Sequence, residues 1–397
     1  MPNAMKTERP PADVLLQRAR DLVPSLRERG ERISLERRMP DDVLRDLHDA
    51  GLMELLRPRR YGGGEAGLDL MYRIGRELAK GDGSTSWVYV VTNSHDAFIG
   101  LYPGHVQDEY WSSNRPLSAS SYAPTGKASC VSGGYRLAGK WSFCSGIDHS
   151  GWIVVGAMVG MLENPTRPDL RYFLVSSADY RVEDDWHVMG LRGTGSKSVL
   201  IDDLFVPDDR ILTFQQVVSG AAPGIEVSDN PLYRESAWTS FGYCIAAPAT
   251  GIARNAYDLL VKEFRLRLQQ RDPIFAGKKP AVQMHLAEAD ALIESSDLLY
   301  TRSMEEAFAS IAQGKRLTDA QRANGRRNQG YSVLAARKAG ELLMGMAGGR
   351  SIAESNPIQR AFRDLYAVAA HPGANWDSPA LSFGSVALGE APTEMMI

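Results

Sequence analysis

The feature that most constrains this chain is a double change of hydrophobic period. Up to about residue 115 apolar side chains recur every three or four positions; from Pro116 they fall into short β-rich runs; from about residue 233 long Ala- and Leu-rich stretches return. The layout this dictates is helices, then strands, then helices. With 397 residues the chain is also too long for one small module.

The local signals agree with that layout. Leu15, Ala19, Leu22 and Leu26 share one helical face, and Gly30 is expected to stop the run. A second helix opens at Pro40, carries Asp41 and Asp42 in its first turn, where acids suit the helix dipole, and ends at Gly51. Residues 68–112 read as helices interrupted at Gly81-Asp82-Gly83 and Pro103-Gly104. Strands are expected within Tyr135–Phe143, Gly151–Val159, Tyr172–Ser176 and Ser198–Phe205, with a polar linker at 218–232. Four long helices follow, broken near Asp272-Pro273, Gly314 and Gly348-Gly349. The expected class is α+β, mostly α, with an N-terminal helical domain (1–115), a middle β-barrel or sandwich (116–217) and a C-terminal four-helix bundle (218–397).

Composition removes several functions. The 45 Lys and Arg against 48 Asp and Glu leave no excess of positive charge for phosphates or anionic lipid, so neither nucleic acid nor a membrane is the expected partner. Cys130, Cys144 and Cys244 have no metal-binding or disulfide spacing, which predicts a reducing, cytoplasmic setting and no metal site. The polar start of the chain lacks a signal-peptide core, and the apolar stretch Trp152–Leu162 is too short to span a bilayer. Gly134 to Lys140 has phosphate-loop spacing, but Trp141 replaces the magnesium-binding hydroxyl. Gly193-Thr194-Gly195 leads into a strand, not the helix a dinucleotide fold requires. No HExxH and no Gly-x-Ser-x-Gly occurs.

Three motifs stand in order over the chain: Trp141-Ser142-Phe143-Cys144-Ser145-Gly146, then Gly190-Leu191-Arg192-Gly193-Thr194-Gly195-Ser196 ahead of Asp203-Leu204-Phe205-Val206-Pro207, then His371 followed by Asn375-Trp376-Asp377. Together with the helix-strand-helix layout, this resembles the acyl-CoA dehydrogenase fold. Within it, the sequence is similar to the group D flavin-dependent monooxygenases, the oxygenase halves of two-component aromatic hydroxylases. The dehydrogenases typically need a carboxylate base late in the chain, and no Glu stands between Glu354 and Glu390.

The resemblance assigns roles residue by residue. His95 and His371 match the family's active-site histidines, and Ser121, with Ser120 as its alternate, matches a serine that contacts a phenolic substrate. Ser145 matches a hydroxyl at the flavin N5 edge, and Gly146 would let the backbone approach the ring. Trp141 belongs to the same cofactor motif, although Trp141 and Phe143 alternate on one strand face and equally suit core packing. Arg192, Thr194 and Ser196 would offer a cation and hydroxyls to flavin; Arg271 resembles a residue that reaches a second subunit's cofactor, and Gly349 and Ser351 a glycine turn near it.

What the resemblance implies is a small aromatic substrate, reduced FMN or FAD delivered by a separate flavin reductase, and dioxygen as co-substrate. Oxygen would add to the flavin as a C(4a)-hydroperoxide shielded from water, and an imidazole would favour the phenolate that attacks it. The family also implies a homotetramer. N- or S-oxygenation on the same scaffold, and an acyl-CoA dehydrogenase, are the alternatives.

Overall fold

The computed structural model describes residues 10–160, 169–271 and 279–394. The polar segment 1–9, the end of the Trp152–Leu162 stretch and the Asp272-Pro273 break therefore lie outside the described residues. Five helices come first: α1 (Ala12–Glu36), α2 (Asp41–Asp49), α3 (Leu68–Ala79), α4 (Gly83–Ile99) and α5 (Gly104–Ser112). α1 does not stop at Gly30. A Cβ there would stand 2.7 Å from Arg360 Nη2, so this glycine admits a crossing side chain, and the helix ends only at Arg37, whose φ is +53°. α2 keeps its expected bounds, closing at Gly51 with φ +71°. α4 starts where Asp82 accepts a hydrogen bond from the Thr85 N–H at 2.7 Å, an N-cap inside the Gly81-Asp82-Gly83 break.

The middle of the chain forms a seven-stranded sheet in the order β5-β6-β2-β1-β3-β4-β7. Its strands are β1 (Ser118–Val131), β2 (Gly134–Trp141), β3 (Trp152–Val159), β4 (Asp169–Ser176), β5 (Arg181–Glu183), β6 (Ser198–Pro207) and β7 (Ile211–Thr213). Side chains of successive strand residues point to opposite faces. Trp152, Val154, Tyr172 and Leu174 therefore join the helical core, while Ile153, Val155, Phe173 and Val175 join a second core with Leu137, Val199 and Ile201. Burial on both faces explains why β3 reads as an unbroken apolar run. β1 is rich in Ser and Ala and is not among the expected runs; it pairs antiparallel with β2 and parallel with β3, with a register shift between Ser121 and Gly126.

Helices α6 (Phe214–Ser219) and α7 (Ala237–Cys244) bridge to α8 (Ala246–Gln269), α9 (Pro280–Ala312), α10 (Asp319–Ala347), α11 (Pro357–Ala369) and α12 (Asp377–Ala387). α10 packs against α8, α9, α11 and α12, and α8 also packs on α3, tying the last helices to the first. No helix among the described residues is long and apolar enough to cross a membrane.

The expected alternation of Trp141 and Phe143 on one face does not occur. β2 ends at Trp141, and Phe143 has a φ of +64°, so the chain has left the pleat and Phe143 is 69% exposed against the Trp186 ring. Trp141 is fully buried, its Nε1–H donates to the Gly156 carbonyl at 2.7 Å, and its ring fills the space over Gly126 and Gly139. A side chain so enclosed packs the β core, and the expectation that it touches a cofactor is withdrawn.

Candidate active site

The parity of β1 decides which serine meets His95. Ser118 pairs with Trp152 and Ser120 with Val154, residues that face the helices, whereas Ser121 pairs with Val155, which faces the other core. Ser120 Oγ accordingly lies 2.8 Å from His95 Nε2, and the Ser121 hydroxyl donates instead to the Ser142 carbonyl at 2.9 Å. Of the two, Ser120 and not Ser121 is brought to the histidine.

His95 is buried in α4, and its Nδ1 is 2.6 Å from the Ser118 carbonyl. A carbonyl only accepts, so Nδ1 carries the hydrogen and the neutral ring presents a lone pair at Nε2. The Ser120 hydroxyl must donate to it, leaving the serine oxygen's lone pairs for another donor. Burial pushes the His95 pKa down to about 4, opposed in part by the Ser118 hydrogen bond. Beside His95 lies a nest of rings: Tyr122 stands edge-on at 6.3 Å, and Phe98 at 5.1 Å and Trp238 at 5.1 Å pack on Tyr122 in turn. Ser120, Tyr122 and Trp238 complete what the histidine begins.

A second group assembles where α4, the Trp141–Gly146 motif, the Leu191–Ser196 turn and the His371 turn meet. The Trp87 Nε1–H donates to Ser145 Oγ at 3.1 Å, Ser145 Oγ is 2.8 Å from Ser196 Oγ, and Ser196 Oγ is 2.6 Å from Thr194 Oγ1. Thr194 gives its hydrogen to the Leu191 carbonyl at 2.8 Å. One hydroxyl has one hydrogen, so the direction is fixed along the whole line: Ser196 donates to Thr194, and Ser145 donates to Ser196. Ser145 thus has no hydrogen left to offer and faces any further partner as an acceptor.

The turn holding Thr194 and Ser196 is tied down from three sides. Its Leu191 N–H donates to Asp364 Oδ1 at 2.6 Å, its Gly193 N–H to Ser84 Oγ at 3.2 Å, and its Thr194 carbonyl accepts from the Gly146 N–H at 2.9 Å. A Cβ on Gly193 would lie 2.2 Å from Ile33 Cγ2, so only glycine fits under α1. Gly146 has φ +74°. Arg192 Nε is buried with no hydrogen-bond partner, an orphan that points to a ligand. The half-buried His371 ring stands edge-on to Trp87 at 5.4 Å between centroids. The Gly373 N–H donates to its Nδ1 at 3.0 Å, so the hydrogen of the neutral ring sits on Nε2; desolvation, then the Arg326 cation, push its pKa down to about 4.

The structure therefore joins Ser145, Gly146, Thr194, Ser196 and His371 in one place, and His95 in another reached along the same helix. Trp87, which links Ser145 to His371, was not visible in the sequence because a tryptophan in an apolar helix reads as core. No described hydrogen bond or ring contact connects Arg271, Gly349 or Ser351 to this group: Arg271 is exposed at the end of α8, Gly349 borders open space, and the Ser351 hydroxyl donates to Gly348.

Two family models match the chain, the acyl-CoA dehydrogenase N-terminal domain over residues 14–104 and its C-terminal domain over 243–376. The chain is 32% identical over 96% of its length to the flavin-dependent monooxygenase oxygenase subunit HsaA of Rhodococcus jostii strain RHA1, covering 100% of that protein. The chain belongs to the oxygenase components of flavin-dependent monooxygenases. This oxygenase is also 32% identical to the FADH(2)-dependent resorcinol hydroxylase, oxygenase component, of Rhizobium sp. strain MTP-10005, over 90% of this chain and 89% of that one. The crystal structure of 3-HSA hydroxylase from Rhodococcus sp. RHA1 superposes with a TM-score of 0.92 at 32% identity, covering 98% of the oxygenase and 100% of that chain. The oxygenase is thus an oxidoreductase with the acyl-CoA dehydrogenase fold.

Proposed function

We propose that this oxygenase hydroxylates a phenolic ring with reduced flavin and dioxygen, the flavin arriving from a separate reductase. The observation that carries the reading is the Ser120–His95 pair: a neutral, buried imidazole whose Nε2 lone pair already holds a serine hydroxyl is built to take a proton from a third oxygen. A phenol donating to Ser120 Oγ passes its proton toward Nε2, and the ring becomes the more nucleophilic phenolate. The aromatic nest of Phe98, Tyr122 and Trp238 beside His95 suits a flat apolar substrate.

The residues at the second group fit a reduced flavin. Ser145 is an acceptor, the complement of the N–H that reduced flavin carries at N5 and oxidised flavin lacks. Half-buried Arg192 supplies a cation whose buried Nε has no hydrogen-bond partner, and Gly146, at φ +74°, makes the turn that presents Ser145. When bound, reduced flavin together with dioxygen supplies the electrophilic oxygen atom. His371 Nε2–H would donate and Ser145 Oγ accept hydrogen bonds there, and water excluded by the bound flavin and substrate would limit wasteful release of peroxide. FADH2 is preferred here over FMNH2 by analogy with the resorcinol hydroxylase.

Domains at 1–115, 116–217 and 218–397, a homotetramer in which Arg271 reaches a neighbour's cofactor, and a cytoplasmic location complete the proposal. Exposed Met284 and Leu298, fourteen residues apart on one side of α9, favour a further subunit against that side. The test is anaerobic ultrafiltration with oxidised and reduced FAD and FMN, followed by oxygenation over a panel of phenols including resorcinol and 4-hydroxyphenylacetate. Selective retention of reduced flavin and oxygen-dependent ring hydroxylation are expected. Tight retention of oxidised FAD, reducible by an acyl-CoA, would instead identify a dehydrogenase.

A further inference from the structure

His371 precedes a turn, Pro372–Ala374, in which one residue is held at both its N–H and its carbonyl. The Gly373 N–H donates to His371 Nδ1 at 3.0 Å, and the Gly373 carbonyl accepts from Arg326 Nη1 at 2.9 Å and Gln329 Nε2 at 2.6 Å, both on α10. A Cβ on Gly373 would stand 2.8 Å from Ile245 Cδ1 and 3.1 Å from His371 Nδ1, so the turn has no slack. Arg326 is itself pinned. Its Nε and Nη2 each donate at 3.2 Å to one oxygen of Glu394, and both side chains are nearly buried, at 12% and 10% exposure. Glu394 lies beyond α12 in the C-terminal tail, and the preceding Thr393 N–H donates to Ser382 Oγ on α12 at 3.2 Å.

We infer that Glu394 and Arg326 form a tether through which the C-terminal tail fixes the tautomer of His371. Both are positioning residues, and the catalytic consequence rests on the proposed role of His371 beside the flavin. The line is continuous: tail carboxylate, guanidinium, Gly373 carbonyl, Gly373 N–H, imidazole Nδ1. Without the charged donor the peptide that carries the Gly373 carbonyl keeps only Gln329 and the Ala374 N–H bond to the His371 carbonyl, and its displacement shifts the Gly373 Cα and with it the preceding peptide, whose N–H keeps Nδ1 unprotonated. The charged groups of this turn are Arg326 from α10 and Glu394 from the tail; α4 contributes the uncharged Trp87. Glu394 matters because a bidentate, nearly buried ion pair fixes where the guanidinium points, and removing one partner frees the other.

The experiment compares Arg326→Gln and Glu394→Gln with the parent in the full-length chain. The first readout needs no flavin: side-chain nitrogen shifts from multiple-bond 1H–15N correlation on protein labelled with 15N-histidine, His371 being assigned by His371→Gln. The parent is expected to hold a single Nε2–H tautomer and both variants a mixture. The second is hydrogen peroxide released per oxygen consumed with reduced FAD, expected to rise about three- to tenfold in the variants, the equivalent of one lost hydrogen bond. If Arg326→Gln does not fold, Glu394→Gln decides alone. A single Nε2–H tautomer persisting in the folded variants overturns the tether. A parent that neither binds reduced flavin nor consumes oxygen would refute the proposed function while leaving the tautomer result to stand or fall by itself.

Discussion

Ser120 Oγ and His95 Nε2 stand 2.8 Å apart, and because Nδ1 of the same ring is committed to the Ser118 carbonyl, the hydrogen between them belongs to the serine. Replacing Ser120 by Ala removes the relay, and kcat/KM for a phenol is expected to fall about 100-fold, the lower end of general-base effects. Ser121→Ala, whose hydroxyl serves only the Ser142 carbonyl, is expected to stay within about twofold of the parent, since it breaks one exposed hydrogen bond. Steady-state rates of product formation for the two variants check this, and the opposite ranking would refute the assigned parity.

The one-way line from Trp87 to Leu191 makes a prediction about redox selectivity. Ser196→Ala frees the Ser145 hydrogen, so Ser145 can donate to an oxidised flavin as readily as it accepts from a reduced one. The ratio of reduced to oxidised FAD affinity is expected to shrink about tenfold, the worth of one hydrogen bond near the upper end of the usual range. Anaerobic and aerobic equilibrium titrations measure both constants.

Acid should weaken the fold through its histidines. His95 and His371 titrate at about 4 in the folded chain against 6.5 for an unperturbed ring. Between those values the unfolded chain binds more protons, so stability is full above pH 6.5 and is lost as the pH falls toward 4. His95→Gln removes its share of that loss. Melting curves at pH 4.5 and 7.5 are expected to show a smaller acid shift for the variant than for the parent.

Asp364 has the reverse sign. Desolvation pushes its carboxyl up to about 7 from an ordinary 3.8, so the folded chain holds the extra proton and stability falls as the pH rises from about 4 through 7. Asp364→Asn keeps an oxygen for the Leu191 N–H and discards the charge. It is expected to melt higher than the parent at pH 8 and by a smaller margin at pH 5; a lower melting temperature at pH 8 would show that the carboxylate is needed as an anion.

The sequence made the order of helices and strands legible because period depends on nearest neighbours along the chain, and most breaks coincide with Gly or Pro. Gly30 misled because a glycine that admits Arg360 looks the same as one that ends a helix. The histidines were legible through their motifs. The choice between Ser120 and Ser121 was not, because three serines in four positions carry no hydrophobic alternation, and parity is set by pairing with Trp152 and Val154 more than thirty residues away. Arg326, Asp364 and Trp87 escaped for a related reason: each acts through a backbone group or hydroxyl brought to it only by the packed helices.

The Leu191–Ser196 turn takes its fastenings from Ser84 in the first helices, Gly146 in the strands and Asp364 in the last helices. No one stretch of the chain can build this shelf by itself. If the flavin rests there as proposed, a partly assembled polypeptide has nowhere to seat it, the protein acquires its hazardous chemistry only once the whole chain is folded, and a bound flavin in turn resists unfolding as a ligand of the complete native state alone.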